Sequence, residues 1–381
     1  MMAPVIPLTP ALQRFDWGST QGIPELLGFV PDGEPYAEAW WGAHPFAPST
    51  TAVGPLDAVI AADPIEALGT DVVQTYGRLP YLLKVLSIAR PLSIQVHPTL
   101  ERARAGFAAE EDSGVPLSHP DRTYRDASHK PEMLVAVTEM TVAAGFRPEN
   151  ELMRDLEGLG GADAASLRES LASGGNAAYV TSVLTSDHSD AIARLATGEA
   201  GDGIAARSAA DALAHHVGDP GALVLLAMNV VTLAPGEALF TSAGTVHCYL
   251  SGDGIEIMAN SDNVVRAGLT HKRVDADLMR ELAVLTPTAP VVPRVSSEGA
   301  AQRLSVDATE FELSVVRGGT ATAPSGPRIV LSIEGDARLT TRSDAVDLGR
   351  GEAVFVAAGE GPVEIETSGV VVVASVPLPR G

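Results

Sequence analysis

The stretch YLLKVLSIARPLSIQVHP, residues 81–98, contains two apolar runs that read as strands, and the second carries Gln95 and His97. Alternate side chains of a strand share a face, so on an extended SIQVH segment both groups point into one space. Downstream, in DASHKPEM, Glu132 opens the apolar run MLVAVTEM, where a neighbouring strand carries it beside them. His247, in the distant segment SAGTVHCYLSGDG, supplies a fourth group. Taken singly, a histidine at a strand end or a glutamate before an apolar run is an ordinary polar residue. Two imidazoles, a carboxylate and an amide oxygen, all at strand ends flanked by turn residues, point instead to a metal. These donors suit zinc and related divalent ions, and a site not made wholly of thiolates keeps a position open for water or substrate.

The chain has 381 residues, 45% hydrophobic and 19% charged, which suits two or three soluble domains with a sizeable core. Its 37 glycines and 27 prolines imply many turns, as in all-β architecture. A formal net charge of -22 argues against nucleic acid or an anionic membrane surface as a partner, so an anionic substrate needs a local basic pocket. No secretory signal and no apolar run long enough to span a bilayer is visible, and the single cysteine, Cys248, forms no internal disulfide; a cytoplasmic protein is expected. Cys248 alternates away from His247 and reads as a small core residue.

Residues 1–147 read as strands and turns with short helices. Asp63, Pro64 and Glu66 signal a helix start and Gly77 a stop, and residues 100–114 form a second helical segment close to the site mouth. Residues 148–219 carry apolar positions at three- and four-residue spacing and read as a helical insert. Its His188, His215 and His216 read as structural, the last two closing a helix. Strands resume over 220–290, where His247 and Tyr249 share a face. GEALFTSAG (236–244) is echoed by GEAVFVAAG (351–359), which implies a second, related β unit over 291–381. Pro362 falls where His247 would, so that unit is expected to lack metal.

YLLKVLSIARPLSIQVHP, YRDASHKPEM, TSAGTVHCYLSGDGIE and SDNVVRAGLTHKRVD, in this order, together with LQRFDWGS and EAWWGAHP, resemble the type I mannose-6-phosphate isomerases, zinc enzymes of the cupin superfamily. The resemblance implies a mainly β fold of two cupin-type jelly-roll barrels plus a small helical domain. It further implies one Zn2+ per chain, held by Gln95, His97, Glu132 and His247. Arg266 is implied to be catalytic, with Tyr249, Glu256, Asp262 and Lys272 lining the same pocket, and Ser93, Lys84 and Lys130 are implied to hold the phosphate. His271 departs from the family pattern, in which proline usually precedes the motif lysine.

The residues themselves fit such chemistry. Aldose–ketose interconversion moves a proton between neighbouring carbons through an enediol, and it needs an acid/base group plus charge or hydrogen bonds at the developing oxyanion. Arg266, set among small and apolar residues, is of the kind oriented toward an anion. Asp253 reads equally well as a solvated loop residue, Trp17 and Trp40 read as core, and nothing in the spacing of His44 pairs it with the others. The expected partner is a small sugar phosphate, and the expected state a monomer or weak homo-oligomer. Two His and one carboxylate also match the ligand set of a non-haem iron cupin oxygenase, although Gln95 would crowd the positions that oxygen needs. A non-catalytic sugar-phosphate binding protein would have no use for Arg266.

Overall fold

In the computed structural model, which describes residues 3–377, the first apolar run forms the strand Tyr81–Ile88, buried along its whole length. Burial on both faces requires a layer on each side. Tyr81, Leu83 and Val85 pack into a core shared with Leu313, Ile329, Phe355 and Val372. Leu86 and Ile88 face the other way, against Leu134, Val142, Leu239 and Tyr249. Lys84 lies on that second face.

Among the described residues ten strands hydrogen-bond into one sheet that doubles over along the long strand His247–Ala259. Its first part pairs with Met140–Phe146 and Ile94–Val96, which extend the layer to Met228–Leu233 and Val265–Gly268. Its second part pairs with Tyr81–Ile88 and Glu132–Ala136, which extend the other layer to Glu38–Gly42, Ala11–Gln13 and Ala238–Thr241. The turnover point is a register shift after Tyr249 followed by Gly252, whose φ of 102° is open to glycine but strained for other residues. A second sheet, nine-stranded, is built the same way around Glu312–Ala323 and Val363–Ser375.

The fold is thus mainly β with a helical insert, as expected, but among the described residues neither sheet closes hydrogen bond to hydrogen bond into a barrel. Each is a sandwich whose two layers share a bent strand, because glycine-assisted register shifts let one strand serve both layers. The echoed glycines Gly236 and Gly351 both turn at positive φ, 90° and 80°, ahead of the strands Ala238–Thr241 and Ala353–Val356. Val5–Leu8 pairs along Ala353–Val356, so this strand belongs to the C-terminal sheet.

Helices from Glu149 to Leu226 cover the outer face of the first layer, where Val96, Ala143, Cys248 and Val265 join Leu156, Leu167, Tyr179 and Leu223 in one core. The expected helix start at Asp63 is present: its carboxylate caps Glu66 N–H, and Gly69 divides the segment into Pro64–Leu68 and Thr70–Tyr76. No described helix is long and apolar enough to cross a membrane. The contact of Gly221 with the Val265–Gly268 strand is a packing limit, since a Cβ there would lie 2.7 Å from Gly268 Cα. Gly221→Ala is therefore expected to cost ~1–3 kcal/mol in a denaturant titration, the usual range for overpacking. An unchanged midpoint would mean that the Gly221–Leu226 helix can shift freely off that strand.

Candidate metal centre and the cleft beside it

Strand alternation delivers the residues that the sequence singles out. Ile94 and Val96 face the helices while Gln95 and His97 turn inward; Cys248 likewise faces the helices while His247 and Tyr249 turn inward. Gln95 lies opposite both His247 and Arg266 in register, and Glu132 lies opposite Thr241 and Met258 in the other layer. The sandwich interior thus brings together groups from strands more than a hundred residues apart.

His97 Nε2 lies 3.3 Å from one Glu132 oxygen and His247 Nε2 3.2 Å from the other, with one donor atom of each residue within 4.8 Å of the rest. All three are buried. His97 Nδ1 meets the carbonyl of Asn263 at 2.8 Å and His247 Nδ1 that of Thr245 at 3.0 Å. A carbonyl only accepts, so each Nδ1 carries the hydrogen and each Nε2 presents its lone pair to the common centre. His97 Nε2 has no hydrogen-bond partner despite full burial, an orphan acceptor that a cation would satisfy. Burial also holds the His97 imidazole down to about 4, so it is a neutral donor at physiological pH. Glu132 stays ionised: burial opposes its charge, but the Lys130 ammonium, 2.7 Å away, favours it. The donor set fits a divalent ion such as zinc.

A cavity of about 80 Å3 adjoins this cluster, lined by Ser93, Gln95, Lys130, Glu132, His247, Tyr249, Glu256, Lys84 and Glu38. Gln95 is oriented by its amide, which donates to Ser93 Oγ at 3.2 Å. Lys84 stands 3.1 Å from Glu256 and 3.6 Å from Glu38, with its ammonium 4.9 Å from the centre of the Trp40 ring. Burial disfavours the ammonium, yet the two carboxylates outweigh it and keep Lys84 charged; burial raises Glu256 in turn. Burial likewise keeps the Tyr249 phenol protonated.

Asp262, Arg266 and Lys272 line a second space, a cleft of about 710 Å3 that also includes Arg125, Trp40, His44, Phe15 and Phe46. Burial and then the Arg125 charge press on Arg266; burial, Arg266 and Arg125 press on Lys272, and both are lowered. Three cations crowd together in a strongly acidic chain, an arrangement that favours an anion between them. His44, which its spacing does not pair with the other ligand candidates, sits outside the metal cluster and meets Asp262 at 3.3 Å. His188 and His216 make structural contacts, to Ser182 and to the Pro91 carbonyl.

Residues 5–149 match the family described as phosphomannose isomerase type I, catalytic domain. The mannose-6-phosphate isomerase of Escherichia coli K12 is 34% identical over 385 residues, covering 95% of this chain and 97% of its own length. The chain belongs to the type I phosphomannose isomerase family. The human mannose-6-phosphate isomerase is 32% identical over 332 residues, 76% of this chain and 75% of its own. Among solved structures, the Salmonella typhimurium mannose 6-phosphate isomerase bound to fructose 6-phosphate and zinc superposes with a TM-score of 0.92 at 31% identity, covering 99% of this chain and all of that one.

Within this member of the phosphomannose isomerase family, three supporting residues had no signal in the sequence that marked them. Glu38 opens a strand paired on both sides and Arg125 is a single charge in a loop, each recognisable only once Lys84 and Arg266 are beside them. Asn263 clamps the loop before Lys130, accepting from Arg125 N–H at 2.7 Å and donating to the Asp126 and Ser128 carbonyls at 2.7 and 2.9 Å. Its own carbonyl fixes His97, so one residue orders both halves of the centre.

Proposed function

We propose that this chain interconverts mannose 6-phosphate and fructose 6-phosphate, with one zinc ion held by Gln95, His97, Glu132 and His247. The observation that carries the reading is the buried convergence of His97 Nε2, His247 Nε2 and the Glu132 carboxylate, with His97 Nε2 left without a hydrogen-bond partner. Bound there, the ion would supply Lewis acidity and a fixed positive charge beside the substrate oxygens. The rest is the work of side chains. Lys84 and Glu256, a buried ammonium–carboxylate pair at 3.1 Å, are the groups through which a proton can leave one carbon and return to its neighbour. Tyr249 lines the same cavity and offers a hydrogen bond to the enediol oxygens, while the Lys130 ammonium binds the sugar oxygens of substrate and enediol alike.

For the phosphate, the geometry favours Arg266, Lys272 and Arg125 over Lys84 and Lys130. Each of the latter two already lies against a carboxylate, whereas the cleft cations repel one another. The sugar end then reaches into the small cavity while the phosphate stays in the cleft. Family membership removes the ground for the oxygenase and for the non-catalytic binding protein. The state that goes with this reading is a monomer or weak homo-oligomer, and the buried Cys248 thiol suits a cytoplasmic setting. The division that goes with this reading is a catalytic sandwich (1–147 and 220–290), a helical insert (148–219) and a metal-free C-terminal sandwich (291–381), except that Val5–Leu8 pairs in the C-terminal sheet and the Gly221–Leu226 helix packs in the helical core.

The test is fructose 6-phosphate formation from mannose 6-phosphate by the purified protein as isolated, after chelation, and after zinc is returned. Turnover should vanish and recover. A zinc-loaded protein with no turnover would overturn the assignment.

A further inference from the structure

The loop carrying Lys130 is held from three directions. Asn263 and Ser261 bind the Ser128 carbonyl, at 2.9 and 3.2 Å, and Arg78 donates to Ser128 Oγ at 3.0 Å. On the far side the Pro131 carbonyl accepts from Ala259 N–H at 3.0 Å. Between these anchors the side chain of His129 leaves the catalytic sandwich and meets Glu310 at 2.6 Å. Glu310 belongs to the turn before Glu312–Ala323, a strand of the C-terminal sheet, and lies 181 positions away in sequence.

Glu310 is itself fixed. Its second oxygen accepts from Thr309 N–H at 3.1 Å, and the Thr309 carbonyl accepts from the Tyr76 hydroxyl at 2.6 Å. Both partners are largely shielded, with side-chain exposures of 25% for His129 and 12% for Glu310. Burial opposes the Glu310 charge, but the hydrogen bond from His129 and its attraction outweigh it, so the carboxyl lies below the ordinary glutamate value. A shielded charge-assisted bond of this kind is geometrically specific, unlike an ion pair on an open surface.

We infer that Glu310 is a positioning residue for the isomerase reaction: through His129 it sets the backbone of residues 129–131, and so the placement of the Lys130 ammonium over Glu132. The C-terminal sandwich then has a part in catalysis without lining the cavity, and this inference rests on the isomerase reading above. Lys130 meets Glu132 at 2.7 Å, so a small displacement of its Cα changes the charge that substrate oxygens encounter.

The experiment is a double-mutant cycle on the zinc-loaded full chain, with Glu310→Ala, Glu310→Gln, His129→Ala and the Glu310→Ala/His129→Ala pair. Glu310→Ala should raise KM for mannose 6-phosphate about tenfold with kcat held within about twofold, and Glu310→Gln, which still accepts a hydrogen bond, should recover most of the loss. In the His129→Ala background, Glu310→Ala should change KM by less than about twofold. Melting midpoints taken alongside separate this from a loss of folded protein. Wild-type KM in Glu310→Ala, or an equal loss with and without His129, would overturn the inference. A wild-type chain with no turnover at all would instead overturn the isomerase reading, so the two failures are distinct.

Discussion

Glu132→Gln is expected to reduce bound zinc to less than about a tenth of an ion per chain and to lower kcat by at least ~10^3-fold. Glu132 is touched by His97, His247 and Lys130 together, so both histidines and the lysine meet at it. The amide keeps the shape and one acceptor but loses the charge. Without it the two imidazoles keep their lone pairs, yet nothing offsets the ion's charge in a buried site, and the Lys130 ammonium stands against a neutral group. Zinc content after dialysis, measured by atomic absorption beside the rate of fructose 6-phosphate formation, checks both halves. A variant that keeps stoichiometric zinc would show that the ion is held elsewhere, whatever happens to the rate.

Alternation is local physics and could be read directly. Because a strand's period is two, Gln95 with His97 and His247 with Tyr249 had to share a face, and Cys248 had to oppose them, once these segments were taken as strands. The helical insert was legible for the same reason, its apolar spacing being a property of one segment at a time. What required long-range register was not legible. Glu38 gains its meaning from pairing with Leu86, which sets its carboxylate beside Lys84, and no periodicity in EAWWGAHP announces that pairing. His44 with Asp262, and His129 with Glu310, are contacts between loops whose separation in sequence carries no pattern. The echo of residues 236–244 at 351–359 pointed to a related second unit, but not to Val5–Leu8 completing its sheet. The resemblance placed Arg266, Asp262 and Lys272 with Tyr249 and Glu256 in one pocket. In the structure the first three line the cleft and the last two the inner cavity beside it, with Trp40 between the cleft and Lys84.

That separation makes Arg266 the most informative position in the cleft. It sits on Val265–Gly268, opposite Gln95 in register, so its backbone is tied to a proposed metal ligand while its guanidinium lines the neighbouring space with Arg125 and Lys272. Arg266→Ala is expected to lower kcat/KM about 10^3-fold, mostly as a rise in KM, and Arg266→Lys about 10^2-fold, because a lysine restores the charge but not the two-pronged fit to a phosphate. Removing the side chain takes one positive charge from the cleft, leaving it less able to draw an anion against the -22 charge of the chain even though Lys272 is relieved of one of the charges that lower it. Inorganic phosphate serves as the second probe: its competitive inhibition should weaken in parallel with KM. If Arg266→Ala instead leaves KM and phosphate inhibition unchanged while kcat collapses, Arg266 acts at the sugar end. The division of the substrate between cleft and cavity would then have to be reversed, with Lys84 and Lys130 taking the phosphate.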